Sequence, residues 1–193
     1  KDILVIFVTA ISKEVKYAIK GLKGGAIDYL YKPLDPYITA AKVDSFVQLA
    51  KNQKEIKLKN IALENFASVV QNSVDGICSL DPDNLSFITV NPALEKLLHT
   101  NALQLIGTSF LDYVHAQEKS LSELTLLNII RQKIKNHQYE DCFINRKNEL
   151  IWFRISVSFS ENNLFLILSD ITNHKVNIAN LEQSLDSAIA ARR

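Results

Sequence analysis

The spacing of apolar residues changes repeatedly along this chain, and each change predicts a new element. Ile3 to Val8 is a continuous β-branched run, the pattern of a strand covered on both faces in a parallel sheet. Ser12 then offers a helix cap, and Val15, Ala18, Ile19 and Leu22 recur at helical spacing. Gly24-Gly25 stops that helix, because glycine enters the left-handed region cheaply. A second strand follows from Ile27 to Tyr31, so residues 1–35 read as strand, helix, strand, a βαβ unit. Two parallel strands leave an open edge, which is expected to fray or to be covered by a partner chain or the next helix.

From Asp35-Pro36 onward no Gly or Pro occurs before Gly76, which predicts one helix over 36–71 with Pro36 in its first turn. Phe46, Leu49, Gln53, Ile56, Asn60, Leu63, Ala67 and Val70 step by three and four, the spacing of a coiled-coil seam. Lys51, Lys54, Glu55, Lys57 and Lys59 fall outside it. Gln53 and Asn60 in the seam would weaken the pair while fixing its register. Two readings stand: a dimer seam, which the heptad spacing favours, or an amphipathic helix packed on its own domain.

After Asn72 the period switches again. Gly76 to Leu80 and Leu85 to Val90 flank the turn-forming Asp81-Pro82-Asp83-Asn84 and read as a hairpin. Asn91-Pro92 opens a helix through Leu98, Gly107 breaks the chain, and Ser120 to Lys135 is a longer amphipathic helix. Three strands close the region: Gln138 to Asn145, Leu150 to Ser160 and Leu164 to Asp170. Residues 72–173 thus form an α+β domain with two strands, a helical middle and three strands. Residues 174–193 return to a helix, with Ile178, Leu181, Leu185 and Ala188 at seam spacing.

Two resemblances attach to these patterns. Val5-Ile6-Phe7-Val8-Thr9-Ala10, followed by Gly24-Gly25-Ala26-Ile27-Asp28-Tyr29-Leu30-Tyr31-Lys32-Pro33, resembles the second half of a response-regulator receiver domain. The resemblance implies that Thr9 and Lys32 are the switch hydroxyl and ammonium, that Tyr29 is the rotating aromatic, and that Lys32-Pro33 is cis. The aspartate of that family would precede Thr9 by more residues than are present, so the chain is expected to begin in mid-domain. Within these residues the three switch positions read as remnants without an acceptor.

Asn72-Ser73-Val74-Asp75-Gly76-Ile77, Val90-Asn91-Pro92-Ala93 and Leu105-Ile106-Gly107 ahead of Phe110-Leu111-Asp112-Tyr113-Val114-His115 carry the second resemblance. With Arg146-Lys147-Asn148-Glu149 before Ile151-Trp152-Phe153, and the closing Asp170-Ile171-Thr172, they are similar to a PAS sensory domain. That family implies a five-stranded antiparallel sheet whose helical middle cups a pocket. Here Asn148-Glu149 stands where a Gly-containing turn is common. Together the two resemblances point to a hybrid protein of the two-component type, and the terminal helix resembles the approach to a histidine-kinase dimerisation domain.

Composition narrows the chemistry. Lys plus Arg (22) nearly balances Asp plus Glu (21), which leaves no electrostatic footprint for nucleic acid or an anionic membrane. The longest apolar run is far below a membrane span, and no leader opens the chain, so it is expected to be cytoplasmic. Cys78 and Cys142 lack metal spacing and read as packing thiols. His99, His115, His137 and His174 form no ligand motif, although a haem could draw only on His115 or His137. The absence of Met fits a piece of a longer protein. No nucleophile constellation or phosphate loop appears, so no metal, cofactor or catalysis is expected of these residues.

Phe87, Phe110, Tyr113, Phe143, Phe153 and Phe165 are the candidate pocket aromatics, with Leu97, Leu105, Val114, Leu127 and Ile130 also inward. They serve either as a closed core or as the lining of a small-molecule pocket. Trp152 alternates with Ile151 and Phe153 and should face the other side of the sheet, under a flanking helix or a second protomer. The expected function is non-catalytic sensing and relay in a bacterial two-component phosphorelay protein, working as a homodimer through the flanking helices and acting on a downstream kinase or output domain. The alternatives are the regulatory part of a sensor histidine kinase or nucleotide cyclase, or a protein-interaction scaffold.

Overall fold

The computed structural model describes residues 5–10, 28–160 and 162–190. The chain divides into two units, Lys1–Asn65 and Phe66–Arg193. In the first, β1 (Ile6–Thr9) runs parallel to β2 (Asp28–Tyr31), with Ile6 opposite Asp28 and Thr9 opposite Tyr31. The Lys32 N–H donates to the Thr9 carbonyl at 2.9 Å, and the Lys32-Pro33 peptide is cis. Leu30 is buried, but Phe7 and Val8 are nearly half exposed, so β1 has less cover than its unbroken apolar run predicts. The helix expected through Val15, Ala18, Ile19 and Leu22, with its Gly24-Gly25 stop, and the side chain of Tyr29 lie outside the described residues.

Helix α1 (Pro36–Gln71) occupies the whole stretch free of internal Gly and Pro. Its start is fixed by Asp35, whose Oδ1 accepts the N–H groups of Tyr37 and Ile38 at 2.8 and 2.9 Å. Lys42 reaches back to the Asp28 carboxylate of β2 at 2.6 Å. No residue of α1 is buried, and Leu49, Ile56, Asn60 and Leu63 of the proposed seam are exposed, with Phe46 half-buried.

The second unit is built on one antiparallel sheet of order β4-β3-β7-β6-β5: β3 (Gly76–Leu80), β4 (Phe87–Val90), β5 (His137–Ile144), β6 (Leu150–Ser160) and β7 (Asn163–Asp170). The last strand inserts between β3 and β6, pairing Ile77 with Ile167 on one side and Ser156 with Ile167 on the other. Between β4 and β5 run α2 (Pro92–Leu97), α3 (Ala102–Leu105), a 3-10 turn (Phe110–Asp112) and α4 (Lys119–Gln132). Helix α5 (Thr172–Ala190) follows β7.

Alternation along each strand sends one set of side chains under the helical middle and the other outward. Phe153, Ile155 and Val157 of β6 and Leu164, Leu166 and Leu168 of β7 are fully or almost fully buried, packed with Leu94, Leu98, Leu105, Leu126 and Ile129 from the helices. Two sequence expectations are corrected here. Phe165 faces outward at 47% exposed, because β7 buries its even-numbered residues, so it lies on the opposite face of the sheet from the other candidate pocket aromatics. Strand β4 starts at Phe87 rather than Leu85, since Leu85 takes a left-handed conformation (φ 56°) whose carbonyl accepts the Phe110 N–H. In α4 the buried positions are Ser122, Leu126 and Ile129, with Leu127 and Ile130 half-buried.

Gly76 is a position of close approach. A Cβ there would stand 2.9 Å from Leu94 Cδ1 and 3.3 Å from its Cβ. The β5–β6 turn closes without glycine because Asn148 accepts the left-handed region (φ 67°), a conformation asparagine tolerates better than most residues.

Candidate functional site: an aromatic interior between two helix-to-sheet ties

Five of the six aromatic residues expected to line a pocket converge. Phe87 stacks at a tilt on Phe110 (5.8 Å) and edge-on to Tyr113 (5.9 Å), Phe110 meets Phe143 (5.2 Å), and Phe143 meets Phe153 (5.1 Å). The T-shaped pairs set the positive edge of one ring against the negative face of the next, which adds directional attraction to their burial. All but Tyr113, at 9%, are essentially inaccessible to solvent. Two open clefts lie outside this cluster. One of about 710 Å³ is lined by Lys96, His99, Gln104, Arg146 and Lys147, and one of about 390 Å³ sits on the outer sheet face beside Phe165 and Ile167.

At the entrance to the sheet, Asn91 uses its whole side chain. Its Oδ1 accepts the N–H of Ile77 (2.9 Å) and of Leu94 (3.0 Å), the second being the cap of α2. Its Nδ2 donates to the carbonyls of Val70 and Asp75, both at 3.0 Å. One buried amide thereby ties the last turn of α1 to β3 and to the start of α2. The sequence marks Asn91-Pro92 as a helix opening, but nothing in it discloses the bond back to Val70.

At the exit, Thr172 opens α5. Its Oγ1 accepts the Trp152 N–H at 3.0 Å, its own N–H donates to Asp170 Oδ1 at 2.8 Å, and the Ile171 N–H donates to the Trp152 carbonyl at 2.8 Å. One turn on, Lys175 Nζ lies 5.0 Å from the centroid of the Trp152 ring and 2.7 Å from Glu140 Oε2 on β5. Arg154 of β6 holds the other carboxylate oxygen at 3.1 Å. Lys175 and Arg154 together keep the Glu140 carboxyl below the usual carboxylate range. Trp152 lies on the outer face, and the first turn of α5 lies over it.

The remaining candidate residues are dispersed. In the first unit the cis Lys32-Pro33 peptide directly follows the ladder that joins Thr9 to Lys32. Cys78 and Cys142 are buried free thiols, and burial pushes both upward out of the thiolate range. His99 lies 3.8 Å from Glu149, and His115 Nδ1 accepts the Gln117 N–H at 3.4 Å. Among the described residues no group of three or more His, Cys, Asp or Glu side chains could hold a metal, and no helix is long and apolar enough to cross a membrane.

Comparison with known proteins gives the same architecture. The PAS domain of an HTR-like protein from Haloarcula marismortui superposes with a TM-score of 0.53 at 17% identity, over 62% of this chain and 99% of its own. A domain of a sensory box sensor histidine kinase/response regulator from Geobacter sulfurreducens gives 0.51 at 14% identity, over 56% and 94%. A PAS domain from Colwellia psychrerythraea gives 0.51 at 16% identity, over 58% and 98%. No curated protein sequence matches the chain. The PAS fold model matches residues 64–165, more than half of the chain, a span that holds the ring cluster, the Asn91 tie and the strand that carries Glu140, and the chain belongs to the PAS family.

Proposed function

We propose that this chain is a non-catalytic sensing and relay segment of a two-component signalling protein, in which the PAS sheet passes a conformational change between α1 and α5. One observation carries the reading: each flanking helix is joined to the sheet by side-chain bonds, Asn91 to Val70 on the α1 side and Thr172 and Lys175 to β6 and β5 on the α5 side. A helix held only by its covalent connection would swing without disturbing the sheet. Held by these bonds, it transmits displacement, and a change that favours one arrangement of the sheet biases both helices.

In this proposal the chain works as a homodimer. Phe46, Leu49, Ile56 and Leu63 on α1, with the polar Asn60 among them, and Ile178, Leu181 and Leu185 on α5, supply stripes that a second copy would cover. The output is a downstream kinase or other effector domain, a reading supported by the fold shared with a domain of a sensor histidine kinase/response regulator from Geobacter sulfurreducens. Thr9, Tyr29 and Lys32 are the remnant of a receiver switch, and the aromatic interior is where a small molecule would act if the signal is chemical. Single cysteines at Leu49 and Leu185 test the assembly: oxidation should give inter-chain bridges at both positions, with dimer mass in native spectrometry. A strict monomer with no bridge would overturn it.

A further inference from the structure

We propose that Asp141 is a proton-binding site inside the PAS domain, and that loss of its proton loosens α4 from the sheet. Alternation along β5 turns Tyr139, Asp141 and Phe143 inward, beneath α4. Asp141 is only 3% exposed. Its Oδ1 accepts the Cys142 N–H at 2.9 Å, while Oδ2 is buried with no hydrogen-bond partner among the described residues. Across the ladder stands Phe153, fully buried. Above lies Ser122 of α4, 2% exposed, whose Oγ is 3.4 Å from the Tyr139 hydroxyl.

A carboxylate in this place would hold its charge against an aromatic ring with half its acceptor capacity unused, a costly arrangement that a buried group avoids by keeping its proton. The acid form is neutral and carries no charge into this buried site. The charged and titratable groups around it do not offset a negative charge. Glu118, just before α4, adds like charge, and the Tyr139 phenol and Cys142 thiol are neutral, pushed up by burial. Glu140 and Arg154 alternate to the outer face, where they bind each other and Lys175. Burial accordingly raises the Asp141 carboxyl above the usual range, Glu118 adds to the rise, and Ser122 and the Cys142 amide oppose it.

The site also bears on the relay. Asp141 is one peptide from Glu140, the residue that grips Lys175 of α5, so a shift of β5 at the inner face reaches the exit helix directly. That consequence rests on the relay reading, whereas the proton site does not.

The test uses the whole chain with 13C-carboxyl-labelled aspartate. The Asp141 signal, assigned by its loss in D141N, should titrate above the ordinary aspartate value of about 3.9. Hydrogen-exchange protection of α4, corrected for the intrinsic rate, should fall at least tenfold as pH rises through that titration, and should stay flat in D141N. Ordinary titration of the carboxyl, or α4 protection unchanged through it, would overturn the proposal. Should D141N fail to fold, S122A serves for assignment: removing a group that opposes the rise should move the same signal further upward. If α4 loosens while protection at residues 172–176 is constant, the proton site stands and its coupling to the relay falls.

Discussion

Replacing Asn91 with Ala should separate the role of this residue as a tie from its role as a helix cap. The substitution removes four hydrogen bonds of 2.9–3.0 Å from a side chain that is 3% exposed. Loss of the α2 cap alone costs about 1 kcal/mol. The Ile77 N–H and the Val70 and Asp75 carbonyls lose a partner as well, and a buried group left unpaired costs about 1–3 kcal/mol. Some of these groups will recover water, so the sum is about 3 kcal/mol, on the order of a hundredfold in the folding equilibrium. The single tryptophan, Trp152, lies in the PAS sheet, so its fluorescence in a urea titration reports that unit alone. N91D adds resolution: it keeps the Oδ acceptor for Ile77 and Leu94 and lacks the donor to Val70 and Asp75. It should retain the cap yet expose the last turn of α1, seen as faster hydrogen exchange at residues 66–71. A loss below 1 kcal/mol in N91A, or unchanged exchange there in N91D, would refute the tie.

Other substitutions follow from the same geometry. F153A should cost about 3–5 kcal/mol in the urea titration because it empties a fully buried position at the end of the ring cluster, while F165S on the outer face should change stability by less than about 1 kcal/mol. G76A should destabilise by about 1–3 kcal/mol, since the new methyl meets the fully buried Leu94. Glu140 has a lowered carboxyl, so its grip on α5 is fully present above the unfolded glutamate range and is lost as pH falls through its folded value. Exchange at residues 172–176 should rise in acid in the native chain, and K175A should show that fast exchange already at neutral pH.

The sequence was most legible where one physical signal dominated. The stretch from Pro36 to Gln71 carries no internal helix breaker, and the helix fills it. In β6, Arg154, Ser156 and Ser158 interrupt the apolar residues at every second position, which gives the phase of the strand and puts Trp152 outward. In β7, by contrast, Leu164-Phe165-Leu166-Ile167-Leu168 is apolar on both faces, so periodicity offers no phase. Phe165, expected inward, faces out. Leu85 could not be foreseen as left-handed, because its conformation is imposed by bonds to Asp81 and Phe110 rather than by its own preference. The ties at Asn91 and Lys175 join residues 21 and 35 positions apart, beyond any local pattern.

Between those two ties lies the sheet itself. Asn91 is bonded to Ile77 of β3, which pairs through five positions with β7, and β7 pairs through eight with β6, where the Trp152 N–H donates to Thr172 of α5. Continuous ladders of this kind resist shear between strands, since slipping by one residue would turn every buried Leu and Phe outward. The compliant parts are therefore the edges, β4 and β5, which pair on one side only. Strand β5 carries Asp141 on one face and Glu140 on the other, so the edge most able to move is also the one whose charges bear on both the interior and the exit helix. A signal entering at the helical middle would reach α5 more directly through β5 than across the central ladders. The exchange at residues 172–176 should then respond to substitutions at Ser122 and Glu140 more strongly than to those at Ser79 or Thr89, whose hydroxyls meet at 2.7 Å on the far edge.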